Sequence, residues 1–594
     1  MSRLRIVTPD PATPGAWRVW TDPVRVLAAD RPDDVPALLR AAEAATRDDG
    51  LTALGFVAYE AGPAWDARFM LHARAHAAPG AALPLAWFAL FRASTPWTPD
   101  TAEHQPPPAL RWKPALPAAA YRPRIAAIKQ AIARGETYQV NLTFPLVAEG
   151  PTDLTPWFLH LHRRQPTPFA MLIQTGTFEV ASLSPERFFH RDGTRIVCEP
   201  MKGTSPRAPH PHLDHAVGER LRGSVKNRAE NLMIVDMVRN DLGRIARSGS
   251  VRADRLFDVA PWPTLWQMTS TVTAESNAPL DQLFGALFPS ASITGAPKLM
   301  TSEIIAALET GPRGVYTGAI GMLQPGGRAD FAVAIRTLVS HPAHRRLVYP
   351  VGSGIVWDSD PADEYRECLL KARILTAAPA RFRLLETLRW EPDTGCRWRD
   401  EHLDRIAASA AWFGFAGDRT ALAARLDARC AALPAAPHRI RLLLATDGRI
   451  TVQALPLNLP AHFGDPATAP ALRGVLDDRR TDPASPFLYH KTTRRGVYEQ
   501  ARRRHPGADE VLLINTRGEL MEWTTGNLVL RCGDAWLTPD LAAGLLPGVY
   551  RDHLIATGRL TPARLTVDDF HRADAVYFIN SVRGWRSVTP LSTA

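Results

Sequence analysis

The chain has 594 residues, 45% hydrophobic and 22% charged, a balance that excludes a disordered or fibrous polypeptide and leaves room for several compact domains or two large ones. Its formal charge of +10 is dispersed rather than gathered into Lys/Arg blocks with interleaved aromatics, so small acidic ligands are expected and nucleic acid is not. The proline-rich polar start, the short apolar stretch at 83–91 and five cysteines without disulfide or zinc spacing read as a cytoplasmic protein with no signal peptide and no membrane segment.

Residues 1–110 read as short strands and helices rich in Ala and Pro. Ile125, Ile128, Ala131 and Ile132 recur at helical spacing over 121–134, and Gly135 ends that helix. Strands are expected at 138–142, 178–183 and 195–198. A long helix is expected at 227–246, with Leu232, Val235, Met237, Val238, Leu242 and Ile245 as candidate core positions. The run Ala377-Ala378-Pro379-Ala380 breaks the pattern. A strand at 382–389 and a helix at 399–413 follow, so the expected organisation is one domain over 1–376, a joint at 377–381 and a second domain over 382–594.

Lysine occurs only at 113, 129, 202, 226, 298, 371 and 491, while arginine supplies the other 63 of the 70 basic residues. Either residue serves as a surface cation. A nucleophile or imine former must shed its proton, which guanidinium does not do in proteins. Lys113 and Lys129 fit a solvated face, but Lys202 and Lys491 sit in motifs.

In the first part those motifs are Gly135-Glu136-Thr137-Tyr138-Gln139-Val140-Asn141, Ser184-Pro185-Glu186, Pro200-Met201-Lys202-Gly203-Thr204, Ala229-Glu230-Asn231, Ser292-Ile293-Thr294-Gly295-Ala296-Pro297-Lys298, Ala334-Ile335-Arg336-Thr337 and Gly352-Ser353-Gly354. Glu364 and Glu367 lie three apart on an expected helix and share one face. Glu230 offers a carboxylate from another helix. Singly, each reads as a solvated helix face; together, carboxylates from two helices suit Mg²⁺, which takes oxygen ligands.

Over about 50–376 the ordered motifs resemble the chorismate-utilising family of anthranilate, aminodeoxychorismate, isochorismate and salicylate synthases. The resemblance implies an α/β (α+β) fold with large antiparallel sheets and outer helices. It implies Mg²⁺ held by Glu230 with Glu364 or Glu367, and substrate held by Gln139, Thr204, Thr294, Arg336, Gly352, Gly354 and Lys371. Anthranilate synthases carry alanine at the position of Lys202, and isochorismate and salicylate synthases a lysine at that of Gln139. Both positions therefore point to amination of chorismate at ring carbon 4, with Lys202 adding to the ring and Glu186 as the general acid, a role that needs a raised pKa. Gln267 stands where many relatives have histidine, and Asn227 where many are acidic. None of Cys198, Cys368, Cys396, Cys430 and Cys532 lies in the Gly-x-Cys-x-Gly turn of a glutaminase, so the expected ammonia source is a separate glutamine amidotransferase subunit or free ammonium.

In the second part, His490-Lys491-Thr492-Thr493-Arg494, the acidic stretch around Glu522, and Gly544-Leu545-Leu546-Pro547-Gly548-Val549-Tyr550-Arg551 supply a lysine, a carboxylate and a helix start able to bind phosphate. These are what pyridoxal phosphate requires of a protein. Order and spacing resemble the branched-chain aminotransferase-like family, a two-subdomain fold-type IV architecture, and most closely its aminodeoxychorismate lyases. By that resemblance Lys491 is the Schiff-base lysine and proton shuttle and Glu522 pairs with the pyridinium nitrogen. Arg405, Thr525, Val549 and Tyr550 hold the phosphate, and Arg583 meets a substrate carboxylate. Members of that family commonly pair as dimers, so a homodimer through the C-terminal domain is part of the expectation. The leading reading is a two-step 4-aminobenzoate synthase of folate biosynthesis. The alternatives are an aminodeoxychorismate or anthranilate synthase domain fused to a PLP aminotransferase, and a non-catalytic chorismate-binding regulatory subunit.

Overall fold

A computed structural model describes residues 4–13, 15–69, 83–100, 107–262, 265–376 and 382–591. It divides into two compact units, Met1–Pro206 with Gly218–Ala377 and Arg207–Val217 with Ala378–Ala594. The joint expected at 377–381 lies outside the described residues. No feature of the sequence announces that Arg207–Val217 groups with the second unit, where Leu213 packs against the core of Leu488, Tyr498 and Leu513.

In the first unit, strands Thr52–Val57 and Ala86–Phe91 are buried along both faces. Side chains alternate along a strand, so Ala53, Val57, Phe88 and Leu90 enter one core while Leu54, Phe56, Trp87 and Phe91 enter another. The first core is closed by helices Val35–Asp48, Val225–Gly243 and Leu280–Leu287. The second is shared with Ile6, Ile173 and Val180, which belong to a second sheet. That sheet's other face, with Val7, Leu142 and Leu172, packs under helices Ala118–Ala133, Thr155–Arg164 and Pro361–Thr376. The layers are thus helix, sheet, sheet, helix. Each sheet has ten strands, and every pairing is antiparallel. Covering both faces of a sheet explains strands such as AWFALF, which show no polar alternation. The strand expected at 138–142 runs further, Gln139–Glu149, because residues 140–149 pair with Arg346–Ile355.

The second unit has two cores. A four-stranded sheet packs on helices Arg399–Phe413 and Arg419–Cys430. An eight-stranded mixed sheet contains Ala471–Thr481, parallel to both Glu510–Asn515 and Gly584–Pro590. All five cysteines are free thiols, with Cys396 and Cys430 Sγ atoms 3.5 Å apart. Among the described residues no helix is long and apolar enough to cross a membrane.

Candidate active sites

Lys202 lies on strand Met201–Pro206, which pairs with Leu265–Glu275. Met201 faces Thr269 and Thr204 faces Gln267, so Lys202 and Gly203 together oppose the single residue Met268. Such a bulge bends a strand and re-aims its side chains; Gly203 adopts φ +94° there. The bulge carbonyls are held by amides, Asn231 Nδ2 donating to Lys202 O at 3.3 Å and Gln267 Nε2 to Gly203 O at 3.1 Å. Ser270 Oγ donates to Asn231 Oδ1 at 2.5 Å. Gln267, unusual against the family pattern, therefore supports the backbone that carries Lys202.

The Lys202 amine reaches the bare backbone of Gly354. A methyl group there would lie 2.8 Å from Nζ and 3.1 Å from Gln139 Nε2. Burial lowers the Lys202 pKa, and Lys371 acts in the same direction against Glu230, Glu186 and Glu367. Gln139 is fully buried, and neither end of its amide has a hydrogen-bond partner. Buried amides are normally satisfied, so an orphaned one beside an amine marks a place for a ligand. Glu186 follows strand Glu179–Ser184 and accepts a bond from Ser292 Oγ at 2.6 Å. Burial raises its carboxyl to about 7, against the opposing effects of Ser292 and Lys202.

Arg336, at φ +52°, donates from Nη1 to Lys371 O at 2.8 Å. Lys371 Nζ donates to Gly352 O at 2.8 Å and pairs with Glu367 at 2.7 Å. Arg336, Gly352, Lys371 and Glu367 are thus linked, and Gly352 shares its strand with Gly354. Thr294 is fully buried and donates to Ser290 O at 2.9 Å, while Thr204 is exposed. Glu230, Glu364 and Glu367 stand on helices Val225–Gly243 and Pro361–Thr376. They are not drawn to a point. Among the described residues, the three side chains that do bring ligand atoms within 4.8 Å of one another are Asp477, Asp478 and His505, and both aspartates pair with Arg504. The carboxylate chemistry of the Glu230 set still suits a hard cation, and Glu230 and Glu367 both act on Lys202.

Sequence reasoning missed the Arg313–Glu309 pair. Arg313 Nη2 meets Glu309 at 2.7 Å and Asn141 O at 2.7 Å, and Nη1 meets Ile293 O at 3.0 Å, tying Gln139–Glu149 to the segment before Thr294. Their i,i+4 spacing was the available signal.

In the second unit Lys491 follows the one-turn helix Pro486–Tyr489, and its carbonyl accepts from Leu385 N at 2.9 Å. Burial lowers the amine to about 8; Arg405 and Arg495 push the same way, Glu386 and Glu522 oppose. Glu522, on strand Leu520–Trp523, accepts from Tyr498 Oη at 2.7 Å and Leu546 N at 3.1 Å, and burial raises it to about 7.

Arg405 grips Glu386 with two bonds of 2.8 and 2.7 Å and donates to Pro547 O at 2.6 Å. Three of its five N–H groups are engaged, which leaves two for an anion. Burial alone would raise Glu386, but Arg405 and His402 outweigh it and hold the carboxyl well below its usual range. Helix Val549–Ala556 makes its first internal bond from Asp552 N to Gly548 O at 2.9 Å, so the amides of Val549 and Tyr550 have no acceptor within the helix. A methyl on Gly548 would lie 2.0 Å from Asn527 Oδ1, so a side chain there would have to displace the Asn527 amide. An amine, a buried carboxyl and an anion cradle fit pyridoxal phosphate.

Two expected contacts are placed differently. Thr525 donates its hydroxyl proton to Glu510, and its amide donates there at 3.0 Å, so the hydroxyl has no proton left for a phosphate. Arg583 stands 3.5 Å from the same buried Glu510, which neutralises it. Glu386, Glu510, Tyr498 and Arg495 were not singled out from the sequence.

Residues 8–377 match the family described as chorismate binding enzyme, and residues 383–591 match amino-transferase class IV. An aminodeoxychorismate synthase of Streptomyces griseus is 47% identical over 286 residues, covering 46% of this chain and 39% of that protein. An aminodeoxychorismate synthase component 1 of Klebsiella aerogenes is 42% identical over 267 residues, covering 44% of this chain and 59% of that protein. The chain thus spans only 39% and 59% of the lengths of these relatives. The solved anthranilate synthase component I of Streptococcus pneumoniae TIGR4 shares the fold, with TM-score 0.52 at 22% identity over 63% of this chain and 92% of that one.

Proposed function

The chain belongs to the chorismate binding enzyme family, with an amino-transferase class IV region after it, and on that premise we propose that it makes 4-aminobenzoate, a precursor of folate, from chorismate in two consecutive reactions. One observation carries the reading. Each unit sets a half-buried lysine of lowered pKa against a buried carboxyl raised to about 7, Lys202 with Glu186 and Lys491 with Glu522.

In the first reaction Glu186, protonated, gives its proton to the hydroxyl leaving ring carbon 4, which departs as water. The neutral Lys202 amine adds to the ring. Ammonia then bonds to carbon 4 as the Lys202–carbon bond breaks, giving 4-amino-4-deoxychorismate. Gln139 supplies a donor and an acceptor to the bound ring, and Arg336 with the backbone at Gly352 and Gly354 receives its carboxylates. Glu230 with Glu364 and Glu367 would hold Mg²⁺, which supplies positive charge to an acidic substrate. Lys202 favours this reaction over anthranilate formation, and Gln139 favours it over isochorismate and salicylate formation. Ammonia comes from a separate glutamine amidotransferase.

In the second reaction pyridoxal phosphate, when bound, supplies an aldehyde and an electron sink. Arg405 and the amides of Val549 and Tyr550 would hold its phosphate, and Glu522 its pyridine nitrogen. Lys491 would hold its aldehyde carbon and, once released, take the proton from ring carbon 4. The bond between ring carbon 3 and the enolpyruvyl oxygen then breaks, the enolate leaves and takes up a proton to become pyruvate, and the ring becomes aromatic. An amine lowered to about 8 has an appreciable neutral fraction for this work near neutral pH.

The test is an end-point assay with chorismate, ammonium, Mg²⁺ and PLP, read for 4-aminobenzoate and pyruvate. Lys202→Ala should cripple formation of the aminated intermediate. Anthranilate as product, or keto-acid exchange in place of pyruvate release, would overturn the reading. Robust turnover with glutamine alone would remove the need for a partner.

A further inference from the structure

Arg495 stands four residues beyond Lys491, and both line one cleft with Tyr498 and Leu546. Its Nη2 donates to Thr524 O at 2.5 Å, and its guanidinium carbon lies 4.6 Å from the Tyr498 ring centroid. Tyr498 holds Glu522, and Thr524 sits two residues beyond Glu522. The cation is therefore fixed from two sides beside the reactive lysine.

The neighbouring cations are already neutralised. Arg405 pairs with Glu386 at 2.7 Å, and Arg583 faces Glu510 at 3.5 Å. Arg494 is exposed and lies over Phe487 at 4.4 Å. Among the described residues no carboxylate lies within ion-pair distance of the half-buried Arg495. A partly desolvated charge without a counter-ion is costly, and a fixed guanidinium matches a carboxylate with two parallel bonds. The phosphate end of the cofactor has its own donors at Arg405, Val549 and Tyr550, on other elements.

We propose that Arg495 binds the ring carboxylate of the second-site substrate and so selects benzoate-like acids over neutral or aliphatic amines. The proposal rests on the two-step reading, in which that substrate is a ring-borne carboxylic acid. It reassigns to Arg495 the carboxylate contact that the sequence placed on Arg583.

The experiment uses the PLP-loaded full chain, its Arg495→Gln variant and the charge-keeping Arg495→Lys. With aminodeoxychorismate, Arg495→Gln should raise KM for pyruvate release about 10- to 100-fold, the effect of losing a hydrogen bond to a charged group. kcat should change far less, and Arg495→Lys should recover part of the loss. Cofactor content and melting temperature report folding. Independently, benzoate and benzamide are titrated against the cofactor absorbance. The wild type should bind benzoate more tightly, and Arg495→Gln should lose that preference. If the wild type releases no pyruvate, the two-step reading fails while the benzoate arm still decides Arg495. An unchanged KM, equal affinity of the wild type for benzoate and benzamide, or a shifted cofactor spectrum in Arg495→Gln with KM unaltered, as a cofactor contact would give, overturns the proposal.

Discussion

Replacing Gly354 with alanine tests the geometry of the first site with one methyl group. The new Cβ would sit 2.8 Å from Lys202 Nζ and 3.1 Å from Gln139 Nε2. Ordinary contact begins near about 3.5 Å, so the amine must retreat by roughly 0.7 Å and the amide by roughly 0.4 Å. Both are ends of flexible side chains, and Gly354 has no positive φ that alanine would strain. The fold should therefore lose less than about 1 kcal/mol, partly offset by the lower entropy of the unfolded chain. Chemistry should suffer more, since a misplacement of about 1 Å costs up to roughly 100-fold in rate. Gly354→Ala should lower ammonium-dependent chorismate consumption about 10- to 100-fold with a near-native melting temperature. Gly352→Ala differs: its methyl meets Leu142 O at 2.8 Å and Thr143 Cγ2 at 2.7 Å. Backbone cannot step aside cheaply, so that variant should lose about 1–3 kcal/mol of stability. In a Lys202→Ala background, Gly354→Ala should have little further effect, the non-additivity of groups in contact. A Gly354→Ala enzyme that consumes chorismate at the wild-type rate would refute the placement of Lys202 against Gly354.

Glu186 is effective as an acid only while protonated, so the first-step rate should fall about tenfold per pH unit above about 7. Glu186→Gln should abolish that descending limb along with most of the rate, checked by chorismate loss across pH. Arg405→Ala leaves Glu386 buried with only His402 as partner, and should destabilise the second unit by about 3–5 kcal/mol, read by melting, with weakened PLP retention. Because Glu386 is held below its ordinary 4.5, its contribution is complete above that value and lost as the pH falls below it; Glu386→Gln should flatten this acid dependence. Lys491→Ala should leave chorismate consumption intact, stop pyruvate release and let 4-amino-4-deoxychorismate accumulate, which chromatography of the end-point mixture detects.

What could be read from the chain was what is local. The 121–134 spacing marks a helix that runs Ala118–Ala133, and the 399–413 pattern matches Arg399–Phe413 because its apolar face lies on one sheet. Lys202 and Lys491 stood out through scarcity. What stayed hidden depends on pairing across elements. Arg405 was identified, but its partner Glu386 lies on a strand that only the fold brings under that helix. Thr525 and Arg583 were given ligand roles because nothing local reveals Glu510, on another strand, meeting both. Arg495 was overlooked because, among so many arginines, one more next to Arg494 looks like solvated surface. Its significance lies in a missing counter-ion, and an absence of that kind exists only in three dimensions.

The two lysine–carboxyl pairs reach a similar electrostatic state by the same route, burial set against one hydroxyl and one backbone amide, and differ in the work proposed for each. Glu186 has the Ser292 hydroxyl, the Met201 backbone amide and the lysine beside it, all favouring its anion. Burial outweighs them, which suits a group that must hold its proton until a leaving hydroxyl takes it. Glu522 receives Tyr498 and the Leu546 amide on one oxygen and is still raised to about 7 by burial. Those donors favour the carboxylate, and among the described residues its other oxygen meets only the Asn527 amide at 3.5 Å, so a cation arriving there would complete its ionisation. In the proposed reactions the first carboxyl gives its proton away and the second keeps a negative charge in place. Exchanging their surroundings makes the point concrete. Removing the Tyr498 hydroxyl should move Glu522 further toward the neutral form and weaken its hold on a pyridinium. Removing Ser292 should push Glu186 the same way, which for an acid is tolerable. Tyr498→Phe should therefore damage the second reaction more than Ser292→Ala damages the first.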